Sequence, residues 1–386
     1  MKVLLIPSWY STNRNEIAGV FVKEQGKALI KRGIDINILF ADLYLFNILN
    51  PRRWFKSSFV IENGVPVFRI NGFYLPKRSL FLTRLWCKIY VKLFESYMHN
   101  HGRPDVMHVH SYFASMVALA IKKKYGVPYV ITEHHSGFVD KSIPEWHYKI
   151  IPEVLDGADA IIALNIKLKE ELERYTNKEI IIIPNLVDTT VFNYKKESIH
   201  TEFRLVSIGF LIKRKGHDLS IKALNNLIKS KRISVNTELI IIGEGKERSQ
   251  LEQLILDLNL ANNVSLLGKI DHDLLPDYLS NASIFISASY AETQGVAITQ
   301  ALCTGLPVIS TSVGGLTEII NVGNGILIPT DNIDELANAI ESLINNYSKY
   351  NKKKISEEAM KIYDPSIITD QLIEIYNNLI NSTFSN

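Results

Sequence analysis

Apolar runs of strand length alternate along this chain with longer segments in which apolar residues recur at helical spacing. In the first half the strand-like runs are KVLLIP, IDINILF, DVMHVH, PYVIT, ADAIIAL and IIIIP. Their near-continuous Val, Ile and Leu content suits parallel strands covered on both faces. The intervening pattern predicts helices over Val20 to Arg32 and Ala114 to Lys124, each closing with basic residues and then a glycine. After a polar join at residues 188–202 the rhythm restarts with FRLVSIG, a helix from about His217, ELIIIGEG, a helix to Leu258, NVSLLG, SIFISAS, LPVIST and ILIP. Strand, glycine turn and helix in repetition predict a Rossmann-like sheet, whose ligands meet the carboxyl ends of the strands. The closing DPSIITDQLIEIYNNLI spaces Ile368, Leu372, Ile375 and Leu379 as one face of a terminal helix, a face that needs an apolar surface to cover it.

Composition narrows the class. A chain of 386 residues exceeds one ordinary core and predicts two domains. With 46% hydrophobic and 22% charged residues it has the make-up of a soluble globular protein. Two cysteines, Cys87 and Cys303, lack pairing or ligand spacing, which argues for a reducing compartment. The start, MKVLLIPSWY, reads as a first strand and not a signal peptide, and no apolar run of about 18 residues offers a transmembrane helix.

Charge is uneven: residues 1–190 hold 25 Lys+Arg against 18 Asp+Glu, the remainder 18 against 22. The two halves are therefore expected to face different partners. Nucleic acid is not expected, because no matching module accompanies the basic half. In PKRSLFLTRLWCKIYVKLFESYMH, Arg84, Lys88 and Lys92 recur every four residues among Leu82, Leu85, Trp86, Ile89, Leu93 and Phe94, with PRRWFK upstream. Such a helix either lies transiently on an anionic membrane surface or packs its apolar side on the sheet.

The candidate chemistry sits at strand ends. In SYAETQGVAITQALC, Glu292 to Val296 fall between a strand and a helix predicted over Gly295 to Cys303, where backbone N–H groups favour phosphate. A carboxylate there would repel phosphate, so Glu292 is expected either to accept from sugar hydroxyls or to act as a helix-capping acid. SIGFLIKRKGHD offers one lysine of Lys213, Arg214 and Lys215 for a diphosphate, with a solvated basic turn as the alternative. GEGKER, with Gly243 and Gly245, is by itself a weak nucleotide signal. His108 and His110 share a strand face and His134 and His135 are adjacent, but no cysteine or carboxylate cluster completes a metal site. His110 is either a cleft residue or a structural histidine.

Gly-x-Leu-x-x-x-Lys-Gly at 209–216, then IIGEGKER, NVSLLGKI and SASYAETQGVAITQALCTGLPVISTSVGG, in that order and spacing, resemble the donor domain of retaining family 4 glycosyltransferases. AGVFVKEQGKAL after SWYSTN, DVMHVHSYF, ITEHHSGF and IIIIPNLVDTTVF are similar to that family's acceptor-domain segments. The resemblance spans nearly the whole chain. It implies an α/β fold of two facing Rossmann-like domains (GT-B), with parallel sheets flanked by helices. The domains would be an acceptor domain over 1–190, a donor domain over 191–364 and a helix over 365–386 that crosses back to the first. It also implies a UDP- or GDP-sugar donor, no metal and no other cofactor.

Carried onto this chain, the resemblance makes Glu292 the acid that holds donor-sugar hydroxyls. Lys215 would neutralise the diphosphate, Gln294, Gly295 and Val296 would offer it backbone amides, and Gly19 would lie near the phosphates. His134 would line the reaction centre, with His110 and His135 on the acceptor side. Glu244, Lys246, Leu267 and Lys269 would border the nucleoside, and Gly209 and Gly243 would belong to the donor site. Two positions depart from the family: Phe210 stands where an arginine is usual, and Gln300 where a second glutamate contacts ribose. The function implied is transfer of a hexose or N-acetylhexosamine to a hydroxyl of a cell-surface glycan or lipid-linked acceptor, in the cytoplasm or at the inner membrane face. A sugar-nucleotide epimerase and a catalytically weak binding subunit are the rival readings.

Overall fold

A computed structural model describes residues 1–12, 18–43, 56–72, 80–195 and 202–384. The chain divides into two compact units, Met1–Leu186 with Pro365–Asn386, and Val187–Asp364. Most of PRRWFK and part of the polar join lie outside the described residues.

The first unit is built on an eight-stranded sheet. Its strands are β1 (Lys2–Pro7), β2 (Asp35–Leu43), β3 (Lys56–Glu62), β4 (Val65–Gly72), β5 (Val106–His110), β6 (Tyr129–Glu133), β7 (Ala160–Ala163) and β8 (Ile180–Ile182). They lie in the order β3-β4-β2-β1-β5-β6-β7-β8, parallel except for the β3–β4 hairpin. That edge hairpin is absent from the strand pattern described above. Asn63 (φ 50°) and Gly64 (φ 83°) turn it in the left-handed region, the geometry of a two-residue Asn-Gly hairpin. The Asn-Gly pair between FVIE and VPVFRI was therefore its legible signal.

One face of this sheet is covered by the helix Leu80–His101, which buries Trp86, Tyr90, Phe94 and Tyr97. The sheet-packing reading of that helix therefore holds: its tryptophan faces the core, leaving Arg84, Leu85, Lys88 and Lys92 exposed. On the other face, the terminal helix Pro365–Phe384 buries Ile368, Leu372 and Tyr376 beside β-strand residues such as Val3, Ile36 and Val130. Ile375 and Leu379 are only partly buried there. An ion pair between Arg32 and Asp370 ties this helix to the preceding layer.

The second unit carries β9 (Arg204–Ile208), β10 (Glu238–Ile242), β11 (Val264–Gly268), β12 (Ile284–Ser287), β13 (Val308–Thr311) and β14 (Gly325–Ile328). All are parallel, in the order β11-β10-β9-β12-β13-β14. Strand order reverses between β9 and β12, as it does between β1 and β5 in the first unit. Helices leaving neighbouring strands to opposite faces open a crevice at such a point. Among the described residues no helix is long and apolar enough to cross a membrane.

Candidate functional site

In the second unit the reversal point gathers segments far apart in sequence. β9 leads through Gly209 into the turn Lys213–Lys215, and the helix His217–Lys229 follows. Gly216 joins turn to helix at φ 63°, and a Cβ there would collide with the Ala288 carbonyl just beyond β12. Gly243 is constrained alike: at φ 148°, a Cβ would strike the Gly209 carbonyl. Backbone bonds interlock these loops, with Gly209 N donating to Ile242 O (3.0 Å), Leu211 N to Glu244 O (2.9 Å) and Gly243 N to Gly268 O (2.8 Å).

The three cations of the turn point to three different partners. Lys213 donates to Asp218 (3.0 Å), Arg214 to the Ala291 carbonyl (3.2 Å), and Lys215 pairs with the buried carboxylate of Glu292. Ser289 Oγ also donates to Glu292 (3.1 Å). Glu292 does not cap the helix Val296–Cys303: its carboxylate is held inward by lysine and serine, and the N-cap is Gly295, with no side-chain cap. Ile298 and Thr299 N–H groups bond the Gly295 carbonyl, while those of Val296 and Ala297 have no backbone partner among the described residues. Gln294, just before this turn, is buried. Beside Lys215, His217 is held down to about 4 by burial and then by the lysine charge, so it is neutral near pH 7.

The flanking residues are more open. Glu244 pairs with Arg248 (2.7 Å), which also bonds the Leu266 carbonyl (3.2 Å). Lys246, Leu267 and Lys269 are exposed, and Phe210 presents a ring that is 40% exposed. Gln300 is buried, its side-chain Nε2 3.1 Å from Nε2 of His272, a residue the sequence reading passed over.

In the first unit the corresponding reversal point holds a histidine chain. His108 and His110 stack on β5 with ring centroids 4.7 Å apart, and His110 Nδ1 lies 3.0 Å from His134 Nε2. His108 is further held by Thr132 (2.7 Å), Gln25 (3.1 Å) and Tyr376 (2.5 Å). Phe21 packs its ring 4.2 Å from that of His134. Burial lowers all three imidazoles: His108 and His134 to about 3, and His110 well below its ordinary value. His135 stands apart, accepting from the Gly137 N–H (2.9 Å). Gly19 precedes the helix Val20–Lys31 at φ 69°, where a Cβ would sit 2.7 Å from the Trp9 carbonyl oxygen.

Glu133 is a further residue that sequence reasoning missed. Its buried carboxylate accepts from Ser111 Oγ (2.7 Å) and from the backbone N–H groups of Tyr112 (2.7 Å), His134 (2.8 Å) and His135 (2.7 Å). Burial raises this carboxyl, and the four donors oppose the rise by favouring the anion. They also pin Ser111 at φ 78°, a strained value for a residue with a side chain. A carboxylate at a strand end in ITEHHS was the available signal.

Two α/β units, each a mostly parallel sheet whose strand order reverses beside a cluster of polar side chains, have the GT-B fold. Two family models account for consecutive parts of the chain: "Glycosyltransferase Family 4" over residues 18–191 and "Glycosyl transferases group 1" over residues 190–361. The chain belongs to this group 1, family 4 class of glycosyltransferases. It is 25% identical over 362 residues to TuaC of Bacillus subtilis strain 168, provisionally assigned as a teichuronic acid biosynthesis glycosyltransferase; 88% of each chain is covered. Among solved structures, sucrose-phosphate synthase from Thermosynechococcus elongatus superposes with a TM-score of 0.82 at 20% identity, covering 99% of this chain and 100% of that one. HepE of Anabaena, solved in complex with UDP, gives a TM-score of 0.74 at 18% identity, with coverages of 98% and 100%. These structures establish the shared fold.

Proposed function

We propose that the protein is a retaining, metal-independent transferase that moves a hexose or N-acetylhexosamine from a UDP- or GDP-sugar to a hydroxyl of a cell-surface glycan or lipid-linked acceptor. The observation that carries this reading is the Lys215–Glu292 pair at the strand-order reversal, beside the uncapped helix start at Val296. A diphosphate at that helix start would meet free N–H groups and the positive end of the helix, with the Lys215 ammonium neutralising the charge that grows as it departs. Glu292 would turn its carboxylate to the sugar hydroxyls. In this proposal the bond from the anomeric carbon to the diphosphate oxygen breaks while a bond to the acceptor oxygen forms on the same face. The acceptor's proton passes to the leaving diphosphate. His134, neutral through burial, would contribute hydrogen bonds and shape without charge.

Teichuronic acid, in the assignment of the Bacillus relative, and UDP, in the Anabaena complex, support a glycan-building role with a nucleotide-linked donor. Work in the cytoplasm, with brief contact between the exposed Arg84, Leu85, Lys88 and Lys92 and an anionic membrane surface, would suit a lipid-linked acceptor. The rival reading, a binding subunit with weak catalysis, rests on Phe210, whose exposed ring stands where the family usually has a cationic phosphate donor, and on Gln300, an uncharged amide where a second glutamate is usual. The test is incubation with UDP- and GDP-sugars, with and without acceptor extracts, measuring nucleotide diphosphate release and the anomeric configuration of any product. Release that persists in chelator, with a retained anomer, is expected. Nucleotide binding without release under either condition would favour the subunit, and an inverted anomer would refute retention.

A further inference from the structure

The His272–Gln300 contact joins the two parts of the donor-side constellation. Gln300 lies on the helix Val296–Cys303, whose start is the proposed diphosphate seat. His272 lies in the turn His272–Leu274, four residues after Gly268 at the end of β11, in the stretch that follows Leu267 and Lys269. Phe192, fully buried, meets the His272 ring edge-on at 5.3 Å and fixes its placement. An amide N–H can only donate, so His272 Nε2 accepts and the ring's hydrogen sits on Nδ1. One end of the Gln300 amide is thereby consumed. The other, Oε1, has no hydrogen-bond partner among the described residues and remains an acceptor.

We infer that His272 is a positioning residue for donor recognition: by taking the Gln300 N–H, it aims Gln300 Oε1 at a ribose hydroxyl of the nucleotide. This rests on the reading of the second unit as the donor site with Gln300 at the ribose. It also gives the glutamine a reason. A carboxylate at 300 has no N–H to donate, and would hold the histidine only through an Nε2–H, in the opposite tautomer or as the imidazolium.

The test uses the full chain with UDP, GDP and their 2′-deoxy and 3′-deoxy forms, measuring affinity by calorimetry. Wild type should bind at least one deoxy form about five- to tenfold more weakly than its parent, the cost of one lost hydrogen bond. In His272→Ala the parent nucleotide should weaken by about that factor while the deoxy form is unchanged, so the discrimination disappears. His272→Gln, whose amide oxygen accepts the same N–H, should restore it. Discrimination that survives in His272→Ala, or equal weakening toward parent and deoxy forms, would overturn the proposal while leaving the donor-site reading intact. Equal binding of parent and deoxy forms by wild type would instead overturn the ribose assignment of Gln300 and the proposal with it.

Discussion

Acidification from pH 7.5 to 5.5 should cost the first unit about 4 kcal/mol of stability, because His108, His110 and His134 are buried as neutral imidazoles. Each would titrate near 6.5 in the unfolded chain but is lowered far below that when folded. The unfolded state therefore binds more protons as pH falls below 6.5, and stability is fully present only above that value. A histidine that stays unprotonated when folded loses about 1.4 kcal/mol per pH unit below its unfolded pKa, and three lose about 4 kcal/mol by pH 5.5. Glu133, raised by burial, acts in the opposite sense, but it is one carboxyl against three imidazoles and its four donors restrain the rise.

Against a usual total of about 5–15 kcal/mol, the expected loss is a large part of the whole. The assay is favourable, since all four tryptophans, Trp9, Trp54, Trp86 and Trp146, belong to the first unit. Urea unfolding followed by tryptophan fluorescence at pH 7.5, 6.5 and 5.5 therefore reports that unit. His108→Gln should reduce the loss to about two thirds, removing one of three titrating groups. Stability constant within about 1 kcal/mol across the range would refute the neutral burial of the cluster.

Further predictions follow from single contacts. Glu292→Ala should abolish transfer while leaving nucleotide binding largely intact, read by product formation and calorimetry in parallel; unchanged turnover would remove Glu292 from the reaction. Gly216→Ala should destabilise the second unit by about 2 kcal/mol or more, because the new Cβ meets the Ala288 carbonyl and φ is 63°. Thermal unfolding followed by near-ultraviolet circular dichroism checks it. Tyr376→Phe removes the hydroxyl bonded to His108 and should cost about 1 kcal/mol in urea unfolding of the first unit.

Much of this protein was legible in its sequence, and what escaped has identifiable causes. The long apolar runs named their strands because a parallel strand buried on both faces tolerates few polar residues. In the β3–β4 hairpin, β3 escaped because it is the edge strand, where Phe59, Val60 and Ile61 are exposed and no uniform pattern is imposed, whereas β4 is an inner, mostly buried strand whose apolar run is broken by Pro66, Arg69 and Asn71. Tyr376 escaped for a different reason. The terminal helix was read by its Ile and Leu spacing, yet the side chain that reaches the histidines combines an apolar ring with a hydroxyl.

Glu292 stood out locally as a carboxylate between an apolar strand and a helix. Its partner did not, because Lys215 lies 77 residues earlier and shares a loop with two other cations. Only the lateral order of the sheet, β12 beside β9 and not beside β11, brings them together. The sequence by itself determined which segments became strands and helices, and where glycine or a strand-end carboxylate marked chemistry, because periodicity and backbone sterics act between near neighbours. The tertiary structure alone decided that Lys215 meets Glu292, that Gln300 meets His272 and that Glu133 gathers four donors. Those pairings depend on strand order and on packing between residues distant in the chain, which no local pattern encodes.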